Sequence, residues 1–187
     1  MALLERCPER QGEDIAVRLK DLLERKRARI EEEFFSRIVS SYPEETASFL
    51  AKKCDPFLNP VGATIKRATT AIVDGLLDEL PVDKIAPSIE QVVRIRAVQD
   101  FTASEAVSFL LFLKEVIRDE LQPESADPGL NAALDHLTRR LDALMLIAFD
   151  SYVACRDRIK EIQIREAQRE RDRLLRLLQA LTPSPRR

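Results

Sequence analysis

The chain has 187 residues, 45% of them hydrophobic and 33% charged, and its formal net charge is −2. It is long enough for one domain with a sizeable core, and its apolar runs are too short to cross a bilayer, so membrane insertion is not expected. Three widely spaced cysteines (Cys7, Cys54 and Cys155) and the short apolar stretch after Met1 argue against a disulfide framework, a metal clip and a signal peptide. We therefore expect a reducing cytoplasm as the location.

The composition predicts an all-α fold of about seven helices. Leu, Ala, Glu and Arg dominate, glycine is rare, and no segment alternates apolar and polar residues as a strand would. In chain order, residues 1–12 are expected to be frayed and residues 13–39 to form the first helix. Pro43 suits the first position of a short second helix. Asn59-Pro60 is a typical cap and first position for a third helix, which Pro81 ends.

Two further helices are predicted before the last one. Pro87-Ser88 begins the first of them, with a possible capping box between Ser88 and Gln91. Thr102 and Glu105 form a better capping box, which opens a strongly apolar helix over residues 103–121. Gly62, just inside the third helix, is expected to permit a close helix approach.

The final helix is predicted to be unusually long, because residues 130–181 contain neither proline nor glycine. Its apolar stripe consists of Leu134, Leu137, Leu141, Leu144, Ala148, Tyr152, Cys155, Ile159 and Ile162. At 1.5 Å per residue this helix reaches about 80 Å, whereas a compact domain of this size has a radius of gyration of about 16 Å. We therefore expect a single domain over 1–187, with a bundle at 13–162, a projecting helix at 163–181 and a disordered tail at 182–187.

The end of that helix regains apolar character after a polar stretch, and its leucines are Leu174, Leu177, Leu178 and Leu181. A polar single helix is marginal unless it is held at both ends, so these leucines are expected to need a contact. Pairing in a homodimeric coiled coil is the preferred prediction, and docking on another protein is the second. Packing back on the first helix of the same chain is a third possibility.

The candidate sites are few. His136 and Cys155 are the possible haem ligands, although a surface histidine and a buried small cysteine explain them more simply. Arg94, Arg96 and Asp100 have apolar neighbours, and Arg96 and Asp100 have the spacing of an intrahelical pair. Such charges could form a switch network or a structural tie between helices.

Enzymatic, metal and nucleic-acid functions find little support in the residues. The glycines are isolated, the single histidine has no evident catalytic partners, and no cluster has metal-ligand spacing. The C-terminal basic stretch is interrupted by acids and lacks base-stacking aromatics, so nucleic-acid binding is not expected. We expect no cofactor.

Three blocks of sequence resemble the N-terminal domain family of the stressosome co-antagonist RsbRD. They are residues 42–62 (YPEETASFLAKKCDPFLNPVG), residues 94–106 (RIRAVQDFTASEA) and residues 152–156 (YVACR). The resemblance implies a globin-like, haem-free sensory domain that dimerises and signals through its long C-terminal helix. Within the third block, Tyr152, Cys155 and Arg156 become switch candidates.

Members of that family often continue into a STAS or kinase module, and the sequence in hand ends at Arg187. We therefore expect a non-enzymatic sensory or protein-interaction module that acts on a protein partner in trans. The alternative is a globin-like protein that binds haem or a small apolar ligand.

Overall fold

The computed structural model describes residues 8–52, 56–122 and 127–181. These residues form an all-α fold without strands, which confirms the predicted fold class. The seven helices of the described residues are α1 (Pro8–Ser40), α2 (Glu44–Ala51), α3 (Pro60–Leu77), α4 (Val82–Val98), α5 (Ala103–Val107), α6 (Phe109–Leu121) and α7 (Pro128–Leu181).

The core lies where α1, α3, α4, α6 and the first part of α7 meet. Each helix contributes a stripe of apolar side chains at three- and four-residue steps, as an amphipathic helix must. Phe34 of α1 and Phe109 of α6 are both fully buried, and their ring centroids are 6.3 Å apart. Around the core, Arg37 joins α1 to α6 through Glu115 and Asp119.

The start of α3 confirms the predicted cap. The Asn59 side chain accepts a hydrogen bond from the Gly62 amide at 2.9 Å, and Pro60 occupies the first helical position. A Cβ atom at Gly62 would lie 2.4 Å from Nδ2 of Asn59. The glycine therefore makes room for the side chain of the capping Asn59.

Two predicted helix starts are wrong in detail. α1 begins at Pro8, so residues 8–12 are helical, while residues 1–7 lie outside the described part. Pro43 is the N-cap of α2, one position before the helix.

The predicted start of α4 at Pro87-Ser88 is also wrong. α4 begins at Val82, and Pro87 lies within it on an exposed side. Pro87 removes one hydrogen bond, to the carbonyl of Asp83 at an exposed position, where water can replace it. Burial of Ile85 and Ile89 on the other side stabilises these first turns.

The single helix predicted over 103–121 is divided into α5 and α6. Ser108 separates them, and its hydroxyl donates to the carbonyl of Glu105 at 2.8 Å. Serine competes with the helix for backbone hydrogen bonds in this way. The capping box of Thr102 and Glu105 is present, as predicted.

α7 is a continuous helix of 54 residues, as predicted. Its stripe is half-buried at Leu134, buried from Leu137 to Tyr152, half-buried again at Cys155 and Ile159, and 47% exposed at Ile162. From residue 160 to 179 every residue is exposed. We call residues 128–159 the anchored part of α7 and residues 160–179 the projecting part, which is about 30 Å long.

Candidate functional site

The buried guanidinium of Arg96 is the centre of the most unusual polar arrangement in the described residues. Arg96 is 0% exposed. Its Nη1 donates to the carbonyl of Glu105 at 2.7 Å, and its Nη2 donates to Oγ of Ser41 at 2.6 Å and to the carbonyl of Ile38 at 3.4 Å. Arg96 thus joins the end of α1, the end of α4 and the short helix α5.

Three aromatic rings surround this guanidinium. Its central carbon lies 5.4 Å from the ring centroid of Tyr42, 5.1 Å from that of Phe101 and 5.7 Å from that of Phe109. These cation–π contacts offset part of the cost of burying the charge, since no described carboxylate lies within ion-pair distance of Arg96. Burial still lowers the pKa of Arg96, against the opposing influence of Tyr42 and Glu105.

Two buried polar atoms of this arrangement lack a hydrogen-bond partner in the described structure: Nε of Arg96 and the hydroxyl of Tyr42. Burial raises the pKa of the Tyr42 hydroxyl, and the nearby positive charge of Arg96 opposes that rise. The two groups are close, but no hydrogen bond of acceptable geometry joins them. Burying a polar group without a partner costs free energy, so this region is held in place by the packing around it.

The turn from α4 to α5 follows directly after Arg96. Asp100 has a φ of 59°, and the Phe101 amide donates to the Arg96 carbonyl at 3.2 Å, which closes the end of α4. Aspartate tolerates this left-handed conformation better than most residues. Hydrogen bonds from the side chain and then the backbone of Thr102 lower the pKa of Glu105.

α7 is hydrogen-bonded to this same turn. The Tyr152 hydroxyl donates to the Phe101 carbonyl at 2.7 Å. Arg156 donates from Nη1 to the Ala97 carbonyl at 3.2 Å and to Oδ1 of Asp100 at 2.9 Å. The hydrogen bond with Asp100 is the main reason why the pKa of Arg156 is raised.

We call these contacts the junction, defined by Tyr42, Arg96, Asp100, Tyr152 and Arg156. It connects α1, the α4–α5 turn and the last buried turns of α7. Chemically, the junction is a network of hydrogen bonds and ring contacts.

The predicted switch residues do not all lie in the junction. Arg96, Asp100, Tyr152 and Arg156 are brought together, but the predicted pair between Arg96 and Asp100 is wrong, because Asp100 lies beyond the end of α4 and binds Arg156. Arg94 is exposed on the other side of α4. Cys155 is a free, half-buried thiol next to the junction, whereas Cys7 and Cys54 lie outside the described residues.

Sequence reasoning missed Ser41 and Tyr42, although Tyr42 stood in a block that carried the family resemblance. Their contacts with Arg96 span more than 50 residues, and no local pattern reveals a contact at that separation. The sequence signal for these two residues is a tyrosine beside a serine at a helix boundary. The same pattern is found in ordinary turns, so it does not by itself indicate a contact with Arg96.

The two possible haem ligands lie far apart. His136 is exposed and borders a groove of about 330 Å³ between α1, α3 and α7, lined in part by Leu19 and Leu23. Cys155 is 19 residues further along the same continuous helix, a rise of about 28 Å. The two cannot ligate one iron. Among the described residues, no group of His, Cys, Asp or Glu side chains could hold a metal ion.

The predicted interaction leucines lie on the projecting part of α7. Leu174 is 55% exposed, Leu177 53% and Leu178 60%. Leu181 ends the helix, and its side chain lies outside the described residues. No helix among the described residues is long and apolar enough to cross a membrane.

An all-α body, a buried cationic junction and a long helix that projects from the body together define a helical domain with an extended C-terminal helix. The chain belongs to the RsbT co-antagonist protein RsbRD N-terminal domain family, which matches residues 28–180. That match confirms the resemblance seen in the sequence, and the family is one of stressosome-type sensory and regulatory domains. No curated protein and no solved structure shows significant similarity to the chain.

Proposed function

We propose that this protein is a non-enzymatic sensory module that forms a homodimer and acts on a protein partner in trans through the projecting part of α7. One observation carries the proposal: 20 consecutive helical residues, 160–179, are exposed along their whole length. Such a helix is marginal in water unless another helix packs against it. Its leucines supply the apolar contact that a second chain would cover.

The exposed leucines of the projecting part are the expected contact. Leu174, Leu177 and Leu178 lie at three- and four-residue steps, so they share one side of the helix. In a monomer they would leave a contiguous apolar strip in water, which is the usual mark of an interaction surface. Family membership supports a role in protein–protein signalling.

The junction supplies the proposed mechanism, which is a population shift. A signal that alters packing at the α4–α5 turn changes the contacts of Tyr152 and Arg156 with that turn. The anchored part of α7 then settles in a different position, and the projecting part presents its leucines differently. A signal can shift the equilibrium between the two conformations only by the free energy with which it favours one conformation over the other.

The cytoplasmic location is part of the same proposal. It rests on the cysteine pattern, and the half-buried Cys155 thiol is free in the described structure.

The test is the mass of the protein in solution. A Leu174→Asp/Leu177→Asp double variant should be monomeric by light scattering at a concentration at which the unmodified protein is a dimer. Helical content by circular dichroism should stay nearly unchanged, because both side chains lie outside the core. Gln168→Asp, a change at an exposed position on another side of α7, is the control and should stay dimeric. A double variant that remains a dimer contradicts the proposal.

A further inference from the structure

α7 carries a second exposed apolar group that the junction does not use. Leu146 is 70% exposed, Phe149 46% and Val153 41%. All three lie on the anchored part, on the side of α7 that faces away from the body. We call these three residues the outer patch.

The outer patch and the distal leucines fall in one heptad register. Leu174 lies 28 residues after Leu146, and Leu177 lies 28 residues after Phe149, which is four heptads in both cases. A strict seven-residue spacing forms one continuous seam when two helices supercoil left-handedly. Two sets of residues define the seam: Leu146, Val153, Lys160, Ala167 and Leu174 at position a, and Phe149, Arg156, Gln163, Glu170 and Leu177 at position d.

The polar middle of this seam distinguishes the two possible orientations of a helix pair. In a parallel pair, a faces a and d faces d, so Lys160 would meet Lys160 of the second copy and Glu170 would meet Glu170. Like charges in facing positions are destabilising. In an antiparallel pair, a faces d, and one register places Lys160 opposite Glu170 of the second copy.

In that antiparallel register Val153 is the outer-patch residue that faces the projecting part, and Leu174 faces Arg156. Val153 faces Leu177 of the second copy, and Gln163 faces Ala167. Arg156 occupies a seam position, but its guanidinium is already bonded to Asp100 and the Ala97 carbonyl at the junction. The charged positions e and g, which flank the seam, do not distinguish the two orientations. Arg171 can meet Glu166 of the second copy in the parallel pair and Asp157 of the second copy in the antiparallel pair.

We propose that α7 of one copy pairs antiparallel with α7 of a second copy over residues 153–177, with Leu177 of each copy against Val153 of the other and Lys160 beside Glu170. The inference rests on the proposed homodimer and adds its orientation and its docking surface. The tip of each copy then covers the stretch of α7 that carries Tyr152 and Arg156 in the other copy. A change of packing at the junction of one copy would thereby alter the surface that the C-terminal end of α7 of the second copy contacts.

A charge exchange tests the orientation. Lys160→Glu alone and Glu170→Lys alone should each weaken the dimer Kd about tenfold, because each places like charges together twice per dimer. The variant with both changes should restore the original Kd. All four side chains involved are exposed, so the fold should persist. In a parallel dimer each single change only replaces one like-charged layer by another, and unchanged single variants would overturn the inference.

Disulfide mapping provides an independent test. In a background with Cys7, Cys54 and Cys155 replaced by serine, a Val153→Cys protein is mixed with a Leu177→Cys protein and oxidised. The expected major product links residue 153 of one copy to residue 177 of the other. A link between two residues 177, or a dimer that yields neither link, overturns the antiparallel arrangement and leaves the homodimer standing. A monomeric mass for the unmodified protein would instead contradict the proposed function itself.

Discussion

The anchored and projecting parts of α7 belong to one helix and contain the same residue type in opposite surroundings. Leu141 and Leu144 in the anchored part are 1% and 0% exposed, whereas Leu174 and Leu177 in the projecting part are 55% and 53% exposed. The difference lies in what packs opposite: α4 and its neighbours cover the first group, and nothing in the same described chain covers the second. A leucine stripe therefore indicates burial of some kind, and only the surrounding elements decide whether it is in a core or at an interface.

The junction marks the boundary between the two parts. Tyr152 and Arg156 make the last polar contacts of α7 with the body, and the helix continues beyond them without support. The comparison implies that changes before the boundary act on stability, and changes after it act on association.

The largest effect is expected from substitution of Arg96, the buried charge of the junction. Arg96→Ala should lower the free energy of unfolding by about 3–5 kcal/mol, because it leaves buried groups without their partners and opens a cavity. Chemical denaturation measures this loss. Arg94→Ala, two residues away on the exposed side of α4, should change stability by less than about 0.5 kcal/mol. Equal effects of the two changes would show that Arg96 does not organise the junction.

Matched leucine truncations compare the two parts of α7 directly. Leu144→Ala should cost about 2–5 kcal/mol at any protein concentration, as buried leucines do. Leu177→Ala should change the stability of the dilute monomer by less than about 0.5 kcal/mol. Thermal melts at low and high concentration separate the two, since only Leu177→Ala should reduce the concentration dependence of Tm. A large loss for Leu177→Ala in dilute solution would place it in the core instead.

The two tyrosines offer a smaller contrast within the junction. Tyr152→Phe removes the 2.7 Å hydrogen bond to Phe101 and should cost about 1 kcal/mol. Tyr42→Phe removes a buried hydroxyl without a hydrogen-bond partner, so it should be neutral or slightly stabilising. Denaturation curves of the two variants provide the comparison, and the reverse order of effects would contradict the bonding described above.

The smallest expected effect is a shift in the pH at which the Tyr42 hydroxyl ionises. The chain has two tyrosines, so a Tyr152→Phe variant reports Tyr42 alone. Burial raises the pKa of Tyr42 above its usual value of 10.0, which means that the folded state favours the neutral hydroxyl. This contribution to stability is complete below pH 10.0 and is lost as the pH rises through the folded-state pKa. Absorbance of tyrosinate should rise at a higher pH in the folded protein than in denaturant; coincident curves would contradict the burial of Tyr42.

Local chemistry explains which elements could be predicted. The Asn59-Pro60 start of α3 and the Thr102–Glu105 capping box depend on residues within one turn of each other, so the sequence alone indicates them. The start of α4 was predicted wrongly because Pro87 is a local signal for a helix start, while burial of Ile85 and Ile89 favours an earlier one. The break between α5 and α6 at Ser108 could not be predicted, because residues 103–121 contain no proline or glycine.

The sequence by itself determined the helical class, the continuity and length of α7, and the family, because these depend on periodicity, on the absence of Pro and Gly, and on short ordered blocks of residues. Only the tertiary structure decided that Asp100 binds Arg156 rather than Arg96, and that Arg96 is enclosed by Tyr42, Phe101 and Phe109. The physical reason is the range of the interactions. Helix propensity and capping act over three or four residues, whereas the partner of a buried charge is set by which distant segments the core packs together.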